Sequence, residues 1–392
     1  CNSLFLFGRN GTRRIFMEKK LKIAMIGQKH VLSNEGGVEK VVREISTRLV
    51  RLGFDVTCYD RKNKHVMDSD EDLPTLSEYN GVKIKDCFTI DKKGLAAVSS
   101  SLIGSLKILF SGANVVHYHA EGPSAMLPII KFLSKKKVIV TVHGLDWKRD
   151  KWGDGFASKY IKFGEKMATK YADEIIVLSS GVKKYFKETY DRDTHFIPNG
   201  VSRPEVLLSN IIGSKYGLKK DDYFLFLGRI VPEKGIHYLI DAYNQVCTNK
   251  KLVIAGGASD TDSYYEELRK KASNNENIIF TGFVQGQELE ELYSNAYVYV
   301  LPSDLEGMPL SLLEAMSYGN CCLTSDIEEC SDVMEDCGVT FKQSSVEDLA
   351  NKLQYLSYNE KVVQKLKVKS SPFIIKKYNW DDIVNKTLEL YR

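Results

Sequence analysis

The sequence predicts an α/β protein in which two doubly wound parallel-sheet domains face each other across a cleft. Short apolar strands alternate with amphipathic helices, the pattern of a parallel sheet covered on both faces. The alternation halts at the turn signal Pro198-Asn199-Gly200 and then restarts. Length agrees, since single cores stop growing at roughly 250–300 residues and the chain has 392. Apolar residues make up 43% and charged residues 27%, which excludes a disordered chain. No run nears the ~20 consecutive apolar residues of a spanning helix.

Residues 1–16 are expected outside the fold. Leu4-Phe5-Leu6-Phe7 precedes Arg9, Arg13 and Arg14, the reverse of a signal peptide's order, and Met17-Glu18-Lys19-Lys20 leads directly into a strand. Strands are then expected at Leu21–Ile26, Phe54–Tyr59, Val82–Asp86, Asn114–His119, Lys137–Val142, Glu174–Leu178 and Thr194–Ile197. Helices fall between them at Val38–Leu52, Leu95–Phe110, Met126–Leu133, Phe156–Ala172 and Val182–Thr189. The first helix, for example, spaces Val41, Val42, Ile45, Leu49 and Leu52 along one face.

The second half repeats the theme. Strands are expected at Tyr223–Leu227, Lys251–Ala255, Ile278–Thr281, Ala296–Leu301 and Cys321–Thr324. Helices are expected at Ile236–Thr248, Tyr264–Asn274, Gln287–Ser294, Pro309–Ser317 and Val346–Ser357. No period of 20–50 residues suggests a solenoid. Ligands of open parallel sheets bind beyond the carboxyl ends of the strands, so the cleft between the halves is the expected site.

Three loops carry chemistry. Gly36-Gly37, between the first strand and helix, is either a tight turn or a close approach of backbone to an anionic ligand. It is not G-x-G-x-x-G, which disfavours a nicotinamide dehydrogenase. Gly228-Arg229-Ile230-Val231-Pro232-Glu233-Lys234-Gly235 sets a planar fork and a point charge between glycines, suited to a diphosphate. It lacks the order of a P-loop. Glu306-Gly307-Met308-Pro309-Leu310 leads into a helix that carries Glu314, so free N–H groups from Gly307 to Leu310 could hold phosphate. Glu306 and Glu314 could then accept from sugar and ribose hydroxyls.

Other features are weaker. Asp-x-Asp occurs at Asp68/Asp70, Asp191/Asp193 and Asp260/Asp262, all in polar loops, and no metal role is expected. His117 and His119 share a strand face without a third ligand nearby, so they read as strand-end groups lining the cleft. The eight Cys lack C-x-x-C spacing and read as reduced, mostly buried thiols of a cytoplasmic protein. Residues 1–200 hold 34 Lys/Arg against 23 Asp/Glu, while residues 201–392 hold 21 against 28. That split fits different partners for the two halves, or merely solvated helix faces. Aromatic residues are spread through the chain, which argues against nucleic acid.

Gly228-Arg229-x4-Lys234-Gly235 together with Glu306-x7-Glu314 resembles the donor domain of the large retaining glycosyltransferase family of GT-B fold, family 4. Gly36-Gly37, Thr141-Val142-His143-Gly144 and Ile197-Pro198-Asn199-Gly200 match in order, and Phe373–Trp380 followed by a helix Asp382–Tyr391 resembles the family's return of the C-terminal tail onto the first domain. The likeness runs over nearly the whole chain from Met17. It implies two Rossmann-like domains: residues 17–198 with 376–392 for the acceptor, and 199–375 for the nucleotide-sugar donor.

The resemblance also assigns roles. It implies Arg229 and Lys234 on the donor diphosphate, Glu306 on the transferred sugar, Glu314 on the ribose and His143 beside the reacting sugar, so that Glu306, His143, Arg229 and Lys234 form the catalytic set. Gly36 and Gly37 would lie near the phosphates and acceptor, Gly228, Gly256 and Gly257 around the donor pocket, and Val284 at the base. Gly307, Met308, Pro309 and Leu310 complete the donor contacts. No metal and no cofactor beyond the donor substrate is implied. His143–Arg149 resembles bacterial surface-polysaccharide members, including rhamnosyltransferase-like ones, so retaining hexosyl or deoxyhexosyl transfer in cell-surface polysaccharide synthesis is expected. The acceptor would be a glycan or lipid-linked glycan. Location would be cytoplasmic, at the inner face of the membrane, with Lys135-Lys136-Lys137 and Lys183-Lys184 offered to anionic lipid. A nucleotide-sugar epimerase of similar architecture and a non-catalytic nucleotide-sugar binding module are the alternatives.

Overall fold

Two parallel sheets organise the chain in a computed structural model that describes residues 20–34, 36–62, 76–92, 94–148, 155–257 and 262–392. The expected extension at 1–16 and the Asp68/Asp70 pair lie outside the described residues. The first sheet contains β1 (Lys22–Ile26), β2 (Asp55–Lys62), β3 (Glu78–Tyr79), β4 (Val82–Phe88), β5 (Val115–His119), β6 (Lys137–Val142), β7 (Glu174–Val177) and β8 (His195–Phe196). Its order is β3-β4-β2-β1-β5-β6-β7-β8, parallel except for the β3 edge. The second sheet contains β9 (Tyr223–Leu227), β10 (Lys251–Ala255), β11 (Ile278–Gly282), β12 (Val298–Leu301), β13 (Cys321–Ser325) and β14 (Val339–Phe341). Its order is β11-β10-β9-β12-β13-β14.

Both orders run outward from the first strand of the half and then reverse, so each sheet has a switch point, at β1/β5 and at β9/β12. Loops diverge there and open a crevice at the strands' carboxyl ends. Helices cover both faces, which is why strands such as Val115–His119 are buried along their whole length. In the first half, Val41, Ile45 and Leu49 fill one face of the sheet, and Ile108, Leu127 and Phe186 the other. The C-terminal helix Trp380–Tyr391 joins the first of these cores through Trp380, Ile383, Val384, Leu388 and Tyr391. Among the described residues no helix is long and apolar enough to cross a membrane.

The structure corrects several local expectations. Across Phe373–Trp380 the tail does return to the first half, but as a helix Glu360–Lys377 that runs through Pro372 and a turn at Tyr378-Asn379. There the Val201 amide donates to the Tyr378 carbonyl at 2.8 Å, tying the return to the junction between halves. The helix Ile236–Tyr243 stops five residues short of the expected Thr248. Pro309 is the N-cap of the helix Leu310–Ser317 rather than its first residue. The strand Val339–Phe341 and the helix Glu328–Met334 had no clear apolar period to announce them.

Candidate active site

The crevices of the two sheets open toward each other, and the loops at their rims build one continuous cleft. One part, about 420 Å³, is lined from the first half by Gly36, Gly37 and His143, and from the second by Arg229, Lys234 and Glu306. Gly228 and the run Gly307, Met308, Pro309 and Leu310 complete that wall. The adjoining part, about 410 Å³, is lined by Gly256, Gly257, Phe283 and Val284. Gly228, Arg229 and Glu314 border both. Every residue of the implied catalytic and donor-binding set lines this cleft, whereas His117 and His119 do not.

Two helices point their N-termini into it. The helix Gly37–Arg51 begins from an extended Gly36, and Leu310–Ser317 begins from Pro309; among the described residues no side chain caps either end. A Cβ built on Gly37 would touch Leu310 Cδ1 at 3.2 Å, so the two ends meet across the cleft. Uncapped first-turn amides and the positive ends of both helix dipoles make this junction attractive to anions. Glu39 closes the first loop by accepting from the Lys29 amide at 2.7 Å.

Close backbone approach sets the rest. Gly307 packs against the His143 carbonyl so tightly that a Cβ would lie 1.8 Å from that oxygen. Gly256, at φ +152°, would place a Cβ 1.8 Å from the Gly228 carbonyl. Both glycines are thus demanded by contact between loops, the second also by its backbone conformation.

The charged groups are ordered before any ligand arrives. Lys234 Nζ donates to Glu306 Oε1 at 2.5 Å, and Ser303 Oγ donates to the same oxygen at 2.7 Å. Glu314 accepts from Tyr293 Oη at 3.1 Å and pairs with Lys40 from the opposite half. Tyr299 Oη reaches Ser311 Oγ at 2.8 Å, steadying the turn below. Asn199 Oδ1 and Glu233 Oε2 lie buried in the cavity wall with no hydrogen-bond partner among the described residues. Unmatched buried acceptors of this kind suit hydroxyl donors of a ligand.

Behind His143 stands a buried imidazole stack. His143 Nε2 and His119 Nδ1 are 3.1 Å apart, and the His119 and His117 ring centroids are 4.2 Å apart. His117 Nε2 meets Thr141 Oγ1 at 2.7 Å, and its Nδ1 meets Tyr391 Oη at 2.6 Å. Burial pushes the His117 pKa down to about 3 and holds that of His119 well below the usual imidazole range. Both are fully buried, so the expectation that they line the cleft is wrong; only His143 does. Strand alternation does place them on one face, but the C-terminal helix covers it.

Asp191 and Asp193 both face Lys187 Nζ, at 2.8 and 3.3 Å, and Asp260 lies outside the described residues. Of the seven described cysteines only Cys247 is exposed. Sequence reading missed Lys40, Arg43, Asn34 and Arg61, which also line the cleft. Lys40 follows Gly36-Gly37 in the helix's first turn, a usable signal; Arg61 ends a strand distant in sequence and gave none.

Two family models match, one to each half of the chain. The model described as Glycosyltransferase Family 4 matches residues 35–203, and Glycosyl transferases group 1 matches 211–372. The chain belongs to the family 4 glycosyltransferases of GT-B fold. An uncharacterized glycosyltransferase of Methanocaldococcus jannaschii is 25% identical to this transferase, over 95% of this chain and 98% of its own. The UDP-Gal:alpha-D-GlcNAc-diphosphoundecaprenol alpha-1,3-galactosyltransferase of Escherichia coli is also 25% identical, over 95% and 97%. The sucrose-phosphate synthase structure from Thermosynechococcus elongatus superposes with a TM-score of 0.81 at 18% identity, covering 95% of this chain and 98% of that one. Family membership favours sugar transfer over the epimerase and binding-module alternatives.

Proposed function

We propose that this glycosyltransferase moves a sugar from a nucleoside-diphosphate sugar to a glycan or lipid-linked glycan, with retention and without a metal, in bacterial cell-surface polysaccharide synthesis at the inner face of the membrane. The observation that carries this is the convergence of two uncapped helix N-termini and the basic loop on one cavity. In this reading residues 17–198, with the returning tail, hold the acceptor, and the second half holds the donor. The base and ribose occupy the part of the cleft lined by Val284 and Glu314, and the diphosphate lies between Arg229, Lys234 and the helix ends.

Chemistry follows from charge. As the bond from the sugar's anomeric carbon to the diphosphate oxygen breaks, negative charge grows on the leaving group. Arg229, Lys234 and the helix N-termini are fixed where that charge appears, and preorganised cations are worth most in such a water-poor site. The acceptor oxygen then bonds to the anomeric carbon from the face the diphosphate leaves, and the acceptor's proton passes to the departing phosphate oxygen. Glu306, Asn199 and Glu233 hold sugar hydroxyls, and His143 sits beside the reacting carbon. Similarity to the galactosyltransferase supports UDP as the carrier and a lipid diphosphate as the acceptor's anchor.

Thermal-shift titration with UDP, GDP, TDP and ADP tests the donor site. At least one nucleotide is expected to raise the melting temperature in the wild type, and the shift should vanish in Arg229→Ala. Failure of all four would overturn the reading.

A further inference from the structure

We propose that the surface formed by the helices Leu95–Leu109, Leu127–Leu133 and Phe156–Tyr171 docks on an anionic lipid bilayer. The first of these helices is inverted relative to ordinary burial. Its inward face is Ser100, Ser101, Gly104, Ser105 and Ile108. Gly104 sits so close to β1 that a Cβ would lie 2.5 Å from Ile26 Cδ1. The inward hydroxyls are satisfied: Ser100 and Ser101 donate to the carbonyls of Ala96 and Ala97 at 2.8 and 2.6 Å, and Ser105 meets Tyr118 Oη at 2.7 Å.

Ile103 and Leu109 lean on the core beside Ile108, but the other large apolar side chains face the other way. Leu95, Leu102, Leu106 and Phe110 are all exposed, Phe110 by 87%, and their spacing sets them in one stripe along the helix. The helix Leu127–Leu133 packs beside it and adds Phe132 and Leu133, 68% and 66% exposed. Phe132 meets Tyr171 edge-on at 5.1 Å, which joins the third helix to the same surface, where Phe163 is exposed.

Charge decides what covers it. Lys107 is taken up by the Asp86 carbonyl and Lys131 by Asp173, which leaves Lys159, Lys162, Lys166 and Lys170 of the third helix; the one acidic residue of the three helices, Glu165, is buried. A face kept in water mixes both signs. A second copy of this face would set lysine against lysine. Apolar side chains edged by lysines fit the boundary between lipid headgroups and chains, with rings and leucines inserted and ammonium groups reaching phosphates. Lys183 and Lys184, also offered by the sequence, lie on the helix Ser180–Tyr190, where Lys184 faces Glu188 at 3.9 Å. Lys136 is occupied internally, donating to the carbonyls of Ser111 and Ala113.

The helix Phe156–Tyr171 packs on the turn Asp146–Lys148, and Asp146 lines the cleft. Docking would therefore bring the cleft close to the bilayer; its use there, meeting a lipid-linked acceptor, rests on the transfer proposed above.

Vesicle sedimentation of the full chain tests the surface. Binding to phosphatidylglycerol-containing vesicles is expected to exceed binding to pure phosphatidylcholine by about tenfold or more, and to weaken with salt. Leu106→Ser/Phe110→Ser should lose about tenfold or more in vesicle affinity, with its melting temperature and nucleotide shift retained; Lys183→Ser/Lys184→Ser should bind as wild type. Equal binding to both lipids, undiminished binding by the apolar variant, or self-association in solution abolished by that variant would overturn the proposal. A retained nucleotide shift beside absent vesicle binding would sink the docking surface alone and leave the transfer reading standing.

Discussion

Lys234 and Glu306 form a pair with side chains only 13% and 8% exposed, so each holds the other's charge in a nearly dry place. Lys234→Ala is expected to lower kcat by about 10²–10³-fold, the cost of removing one group that stabilises developing charge. It should also lower stability by up to about 3–5 kcal/mol, because Glu306 stays buried without its partner. Lys234→Met/Glu306→Gln separates the two effects: urea unfolding should show most of the stability restored while turnover stays lost. His117 supports a pH prediction. Its folded pKa is about 3 and the unfolded value 6.5, so between those limits only the unfolded chain is protonated. Stability is therefore fully present above about pH 6.5 and falls with pH below it, by up to about 1.4 kcal/mol per unit for this group. Unfolding free energies measured from pH 7 to pH 4 should fall less steeply in His117→Gln.

Loops and helix ends show where the sequence was legible. The strand-loop-helix rhythm placed Arg229 and Lys234 correctly because both sit between a strand and a helix whose apolar periods are clear. Gly37 and Gly307 were legible as glycines, but their reason was not: each meets a segment remote in sequence, whereas Gly36 meets only Glu39, three residues on. That difference can be tested. Gly307→Ala should depress turnover, since its Cβ collides with the His143 carbonyl across the cleft, while the melting temperature moves little because the loops can separate. Gly256→Ala meets the Gly228 carbonyl inside one sheet's rim and also needs a positive φ. It should cost about 1–3 kcal/mol of stability by thermal unfolding. The imidazole stack was misread for a related reason: alternation gives the face of a strand and cannot say what lies against it.

At the scale of the whole molecule the C-terminal helix links the halves. Trp380 lies against Gly200, where a Cβ would come within 2.5 Å of the ring, and its helix completes the first core. Trp380→Ala is expected to cost about 3–5 kcal/mol, as for other buried aromatic truncations. Calorimetry should show the loss in the unfolding of the first half, although the residue lies twelve positions from the chain's last. By itself the sequence determined the strand-helix alternation, the number of sheets and the loops that line the cleft, because these depend on local periodicity and on residue type. Only the tertiary structure decided which face of each helix is covered, that His117 and His119 lie beneath the site rather than in it, and that Lys40 crosses to Glu314. Those facts depend on which surfaces are brought together in space, and pairing between distant segments leaves no period in the chain to read.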